Sequence, residues 1–219
     1  MQGGNTRTYS SAERWSDASI HALGIVAALV AVPTLIALAA YWSGNAAIVA
    51  AASIYGGCML VLLVASALNN TIDSPAWGEI LRRIDRAAIY MKIAGTYTPL
   101  AVLSSGHFGL VLASIWGAAL AGISMVVVIP DRTKWLALAL YLGLGWAGAL
   151  IGGPLVSELS RAGLTLILIG GGLYTVGVGF FLWQRLPFHN TIWHLLVLAA
   201  TFVLYAAILV ELGTRAPSL

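Results

Sequence analysis

Long stretches without any charged residue alternate along the chain with short polar segments. Asp, Glu, Lys and Arg are absent from five stretches, namely 18–72, 93–130, 135–157, 162–184 and 186–210. A helix of about 20 apolar residues crosses the roughly 30 Å hydrocarbon core of a bilayer. The pattern therefore predicts a polytopic membrane protein built of helices.

Turn signals divide these stretches into seven predicted spans. The stretch 18–72 is too long for one helix, and Tyr-Trp-Ser-Gly-Asn at 41–45 breaks it with turn residues and an aromatic interface marker. Short polar or Pro/Gly-containing segments separate the later spans. The predicted spans are 18–41, 46–69, 85–103, 108–129, 135–152, 163–184 and 190–212. We expect an all-α, seven-helix bundle forming one domain over 1–219, with 1–17 as a polar segment on the cytoplasmic side.

The basic residues predict how this bundle is oriented. Seven spans place the two termini on opposite sides of the membrane. Eight Lys and Arg residues fall on the side of the N-terminus and two on the other side. Because cytoplasmic loops carry an excess of Lys and Arg, we expect the N-terminus inside and the C-terminus outside. The polar first residues do not resemble a signal peptide.

Composition narrows the possible functions. Hydrophobic residues make up 60% of the chain and charged residues 9%, against about 25% charged residues in soluble domains. This excludes a soluble globular enzyme. The single cysteine, Cys58, excludes an internal disulfide and a cysteine-based zinc site. The basic residues lie in short loops, which argues against nucleic acid, so membrane lipids are the expected partners and a homo-oligomer stays open.

Ionisable residues inside spans are candidates for function, because burying them in a bilayer is costly. The topology brings Ser66, Asn70, Asp85 and His194 to a similar depth near the cytoplasmic face, where the second span ends and the third and seventh begin. Ser66 and Asn70 are four residues apart and share a helical face, as do Asn190 and His194. We therefore expect one polar cluster there.

Several motifs resemble the hemolysin III family, within the wider progestin and adipoQ receptor (PAQR) group. The resemblance covers nearly the whole chain and implies a bacterial inner-membrane protein with a seven-helix fold and a cytoplasmic N-terminus. The matching residues are Glu13 and the stretch Asp17…His21…Gly24, Ser66-Ala-Leu-Asn-Asn70, Arg83-Ile-Asp85-Arg-Ala-Ala-Ile-Tyr90, Ile93-Ala-Gly-Thr-Tyr-Thr-Pro99, Gly171-Gly-Leu-Tyr-Thr-Val-Gly177 and Phe188-His-Asn-Thr-Ile-Trp-His194.

The resemblance also implies a zinc site with three histidine ligands, one from Ser-x-x-x-His on the second helix and two from His-x-x-x-His on the seventh. An Asp on the third helix holds the zinc-bound water, and relatives are linked to hydrolysis of ceramide-like lipid amides. Here Asn70 and Asn190 occupy two of the histidine positions, while His194 and Asp85 are retained. His189 is one residue out of register. Because an Asn oxygen is a poorer zinc ligand than imidazole, these differences weaken the expected site.

The candidate residues fall into three groups. Asp85 and Ser66 are the catalytic candidates, and His194, Asn70, Asn190 and His189 are the metal candidates. His21, Lys92 and Tyr90 are expected to support the site or the fold. Lys92 either reaches toward the Asp85 pocket or extends to the cytoplasmic headgroups.

Three interpretations of the polar cluster stay open. It is a metal site, a metal-free hydrogen-bond network that joins three helices, or a site that binds a lipid headgroup or relays a proton. The first makes the protein a zinc-dependent, ceramidase-like hydrolase of lipid amides or esters. The others make it a lipid-responsive or membrane-homeostasis protein.

Overall fold

The computed structural model describes residues 9–104, 109–129, 134–151 and 157–215. Within these ranges the chain forms seven α-helices and no strand, which confirms the predicted all-α class. The helices are α1 (Ser11–Ser43), α2 (Ala46–Thr71), α3 (Gly78–Leu103), α4 (Gly109–Val128), α5 (Lys134–Ile151), α6 (Arg161–Leu182) and α7 (His189–Gly213).

Five of these helices are long and apolar enough to cross a membrane, namely α1, α2, α4, α6 and α7. Helix α3 packs among them but carries charges in its first turns, and the apolar part of α5, Trp135–Gly148, is shorter. Large apolar side chains such as Leu110, Val30 and Val128 are exposed on the outside of the bundle. The protein is therefore an integral membrane protein whose outer faces contact lipid.

Helix α1 begins at Ser11, before the predicted first span at 18–41. Ser10 and Glu13 form a reciprocal capping box, in which Glu13 N donates to Ser10 Oγ at 3.2 Å and Ser10 N donates to Glu13 Oε2 at 2.9 Å. This cap extends the helix across the polar residues that precede the apolar run. As a result, Asp17 lies on α1 and on its buried face.

The break predicted at 41–45 is confirmed. Gly44 has a left-handed backbone (φ 57°) and its N–H donates to Ala40 O, which ends α1. The Asn45 side chain then accepts from Ala47 N at 2.8 Å and begins α2. This two-residue connection makes α1 and α2 antiparallel neighbours.

Contacts between helix ends show which termini lie together. At the end where α1 begins, which we call the N-terminal end, Glu13 Oε1 accepts from Phe188 N at 2.9 Å, just before α7. At the opposite end, the buried Glu211 accepts from Ser160 N at 2.9 Å and from Ser160 Oγ at 2.6 Å. The start of α6 is thereby joined to the end of α7.

The two largest apolar cores among the described residues hold the bundle. The larger one joins α1, α2 and α7 with the far part of α3, and it includes Leu35, Tyr55, Met59, Leu198 and Ile208. The smaller one joins α3, α4 and α5 and includes Tyr90, Ala94, Ala119, Val126 and Ala137.

Close packing of α4 against Tyr90 gives a stability prediction. A Cβ on Gly122 would lie 2.4 Å from Tyr90 Cε1, whereas a Cβ on Gly117 of the same helix would have no described atom within 4 Å. We expect Gly122→Ala to lower the free energy of unfolding by about 1–3 kcal/mol, because the ring must move. Gly117→Ala serves as the matched control, and thermal unfolding in one detergent compares them. Equal melting temperatures for the two variants would contradict the packing described.

Candidate functional site

A buried polar cluster joins α1 to α7 at the N-terminal end. Asp17 and His21 come from α1 and His194 from α7, and all three side chains are buried. One potential ligand atom from each residue lies within 4.8 Å of the others. We call these three residues the Asp17 cluster.

Helical spacing explains how the sequence builds this cluster. Glu13, Asp17, His21 and Gly24 recur at intervals of three or four residues and lie on the buried face of α1. A Cβ on Gly24 would lie 2.8 Å from Leu198 Cδ1, so the glycine allows α1 to approach α7 closely. Since Leu198 is one turn beyond His194, this approach brings the two histidines together.

Asp17 is the centre of the cluster. His194 Nδ1 lies 2.6 Å from Asp17 Oδ1, a short charge-assisted hydrogen bond. His21 Nε2 lies 3.5 Å from Asp17 Oδ2 and has no hydrogen-bond partner among the described residues, although it is buried. The two imidazole rings are 4.4 Å apart between centroids.

Two asparagines extend the cluster toward α2. Asn190 Nδ2 donates to Asp17 Oδ2 and to Asn70 Oδ1, both at 3.3 Å. Asn70 Nδ2 in turn donates to the carbonyl of Ser66 at 2.9 Å. The two asparagines therefore link α7, α1 and α2 by hydrogen bonds at the edge of the cluster.

A second polar group lies on α2 and α3. Asn69 Nδ2 donates to Asp85 Oδ2 at 3.0 Å, and Ser66 lies beside the same carboxylate. Asp85 is thus held by its neighbours on α2 and is not part of the Asp17 cluster. It is only half-buried, which leaves it open to a ligand.

Both polar groups open onto one cavity of about 420 Å³, which we call the central cavity. Side chains from α1, α2, α3, α5, α6 and α7 line it. Its polar lining at the N-terminal end consists of His21, Ser66, Asn69, Arg82, Asp85, Arg86 and His194. Most of the remaining wall is apolar and includes Leu62, Ile93, Leu142, Ile167 and Leu204, with Lys92 among these residues. This volume falls in the range of about 300–1000 Å³ that is typical of ligand pockets.

Comparison with known proteins assigns the family. The model of the family described as Haemolysin-III related matches residues 11–205. The chain belongs to the hemolysin III family. It is 36% identical to the hemolysin-3 homolog of Bacillus subtilis over 90% of this chain and 93% of that protein, and 36% identical to hemolysin-3 of Bacillus cereus over 90% of both chains.

A human relative shows that the similarity extends beyond bacteria. The chain is 36% identical to the human monocyte to macrophage differentiation factor over 57% of this chain and 52% of that protein. This agrees with the PAQR grouping inferred from the motifs. The bacterial relatives and the apolar helices together support an integral protein of a bacterial cell membrane.

The structure brings together only part of the predicted hemolysin III site. Among the metal candidates, His194 is in the Asp17 cluster, and Asn70 and Asn190 are at its edge. His189 is the first residue of α7, and its Nε2 lies 3.2 Å from the Tyr9 hydroxyl, so it is directed away from the cluster. Ser66 and Asp85 are adjacent, as expected from their spans.

The three supporting candidates have different positions. His21, predicted to support the site, is itself a member of the Asp17 cluster. Tyr90 packs against Gly122 and Tyr141, away from the central cavity, and so has a structural position. Lys92 lines the cavity but forms no ion pair with Asp85 among the described residues, and with 3% exposure it does not extend to the headgroups.

The sequence pattern alone does not predict a role in the site for Asp17. The sequence nevertheless contains a signal that α1 extends back to Asp17. Ser10 and Glu13 are a capping pair, and Asp17 and His21 follow Glu13 at four-residue intervals. The motif pattern points to Asn70, whereas the structure shows that the neighbouring Asn69 is the residue that binds Asp85.

The Asp17 cluster fits a zinc ion in its chemistry. Two imidazoles and a carboxylate, with a fourth position open, are a donor set of catalytic zinc sites. Ligands of a tetrahedral zinc lie about 3.3 Å apart, so the separations here need only small side-chain movements. The buried His21 Nε2 without a hydrogen bond is the nitrogen that such an ion would engage. Asp17, His21 and His194 could therefore hold a metal.

Proposed function

We propose that this hemolysin III protein binds a membrane lipid in the central cavity and is lipid-responsive. The observation that carries the proposal is a cavity of about 420 Å³ with mostly apolar walls and a polar group at one end. An acyl chain matches the apolar walls, and the polar part of a lipid matches the polar and basic side chains of the lining, among them Ser66, Asn69 and Lys92.

The seam between α5 and α6 is the proposed route from the bilayer. Residues of both helices line the cavity, including Gly145, Trp146, Ile167 and Gly171. Trp146 bridges the seam, because its Nε1 donates to Thr175 Oγ1 at 3.1 Å. A lipid chain could pass here without crossing the apolar cores.

The polar, N-terminal end of the cavity is proposed to face the cytoplasm. The loops on the N-terminal side carry eight basic residues against two on the other side. Arg82 and Arg86 line this end of the cavity and would favour an anionic surface beside it.

Two glycines of α5 provide a direct test. Gly145 lines the cavity and Gly143 does not, and a Cβ on either would have no described atom within 4 Å. We expect Gly145→Leu to weaken binding of pyrenyl-hexadecanoic acid about tenfold, because the new side chain occupies space that the acyl chain needs. Gly143→Leu should bind this fluorescent probe like the original protein. Equal binding by all three proteins would contradict a lipid in the central cavity.

A second candidate function is metal-assisted hydrolysis of a lipid amide or ester. The observation that favours it is the Asp17 cluster, whose donor set fits zinc and which opens onto the same cavity as Asp85. Asp17, His21 and His194 would hold the zinc ion, which would supply Lewis acidity. Asp85, oriented by Asn69, would accept a proton from the attacking water as general base, and Ser66 would help to position it.

A further inference from the structure

Lys92 is a buried basic residue in the wall of the central cavity. It lies on α3, is 3% exposed, and is the third basic residue of the lining after Arg82 and Arg86. Its Nζ donates to Thr96 Oγ1 at 3.0 Å, while the Thr96 hydroxyl donates to Lys92 O at 2.8 Å. The ammonium also sits over the Tyr55 ring, 4.2 Å from its centroid.

These contacts do not supply a negative charge. In the described part of the chain no carboxylate lies within ion-pair distance of Lys92. Asp85 is seven residues earlier on the same helix, which is about 10 Å along the axis, and it accepts from Asn69. An ammonium has three N–H donors, and only one of them is directed at Thr96. A cation at membrane depth is costly unless an anion or other polar groups compensate it.

We propose that Lys92 binds the carboxylate of a single-chain lipid, with the acyl chain in the apolar part of the central cavity. This inference rests on the proposed function, since it names the class of lipid that the cavity takes. The ligand would provide the negative charge that the protein does not place beside Lys92. Thr96 orients the ammonium, because its own proton is engaged by the Lys92 carbonyl and its oxygen faces Nζ.

The charge distribution in the cavity favours a carboxylate over a phosphate. Arg82 and Arg86 lie ten and six residues before Lys92, close to the N-terminal end, where more than one cation is available to a phosphate. Among the described lining residues, Lys92 is the one Lys or Arg farther along α3 than Arg86, and apolar residues such as Ile89 and Ile93 line the same wall. A single ammonium matches a singly charged carboxylate on an acyl chain.

A competition experiment tests this inference. Palmitate, hexadecanol and hexadecyl phosphate share one chain length and differ in the head group, and each competes with pyrenyl-hexadecanoic acid on the detergent-purified protein. We expect palmitate to displace the probe at about tenfold lower concentration than hexadecanol, because a charge-assisted hydrogen bond is lost with the alcohol. Lys92→Met should remove this difference, and Lys92→Arg should retain most of it.

Three other results would contradict different parts of the proposal. Equal displacement by palmitate and hexadecanol from the original protein would overturn the role of Lys92 while leaving a lipid site in the cavity. Strongest displacement by hexadecyl phosphate would overturn the carboxylate. Absence of probe binding would remove the proposed lipid function as well. Since the acid and alcohol are compared on the unchanged protein, the test stands even where Lys92→Met fails to fold.

Discussion

Replacing Asp17 with alanine is expected to destabilise the protein by about 3 kcal/mol or more. Asp17 is 7% exposed and faces two donors on α7, namely His194 Nδ1 at 2.6 Å and Asn190 Nδ2 at 3.3 Å. Its loss leaves the buried His194 Nδ1 without its acceptor, and it removes a polar link between α1 and α7. Thermal unfolding in one detergent, together with unfolding in SDS, measures the change.

Asp73→Ala is the matched control for this variant, because Asp73 is exposed in the segment between α2 and α3. We expect the control to unfold like the original protein. Asp17→Asn should lie between the two, since an amide oxygen can still accept one hydrogen bond. If Asp17→Ala unfolds with the control, the Asp17 cluster does not hold the two helices together.

Replacing Asp85 with asparagine is expected to lower hydrolysis of a lipid amide by about 10²–10⁴-fold, where the hydrolase proposal holds. The amide keeps the size of the side chain and a hydrogen bond with Asn69 but cannot accept the proton of water. Turnover of a short-chain ceramide by the zinc-supplemented protein measures this effect. Asp73→Asn is the control.

Zinc content separates the role of Asp85 from that of the Asp17 cluster. We expect elemental analysis to find about one zinc per chain in the original protein and in Asp85→Asn, and much less in His194→Ala, because His194 belongs to the fitting donor set. Absence of zinc from the supplemented original protein would refute the hydrolase proposal. The cluster would then be a hydrogen-bond network, as the contacts of Asn190 with Asp17 and Asn70 permit.

The sequence predicted the number of helices well, because charge-free stretches and turn residues are local signals. Gly44 and Asn45 end one helix and begin the next as their residue types require. The sequence predicts a third span from Asp85, whereas α3 begins at Gly78. The charges between these positions suggested a loop, but Arg83 pairs with Glu79 one turn earlier and donates to Val127 O at 2.9 Å. These contacts stabilise a charged helical turn at the edge of the bundle.

The candidate site was predicted less completely, because its centre lies outside the apolar run. A span that starts at the first uncharged residue excludes Asp17, although the helix extends back to the cap at Ser10. The partners of Asn190 and the environment of Lys92 depend on how α1, α2, α3 and α7 meet. No local pattern encodes such distances, so the cavity itself could not be predicted.

Native mass spectrometry of the protein extracted from its own membranes would show directly whether the central cavity holds a lipid. We expect one single-chain lipid retained per chain under detergent conditions that remove surface lipids, and loss of that lipid in Gly145→Leu but not in Gly143→Leu. A protein that carries no retained lipid, or one that retains it equally in both variants, would contradict a lipid-binding central cavity.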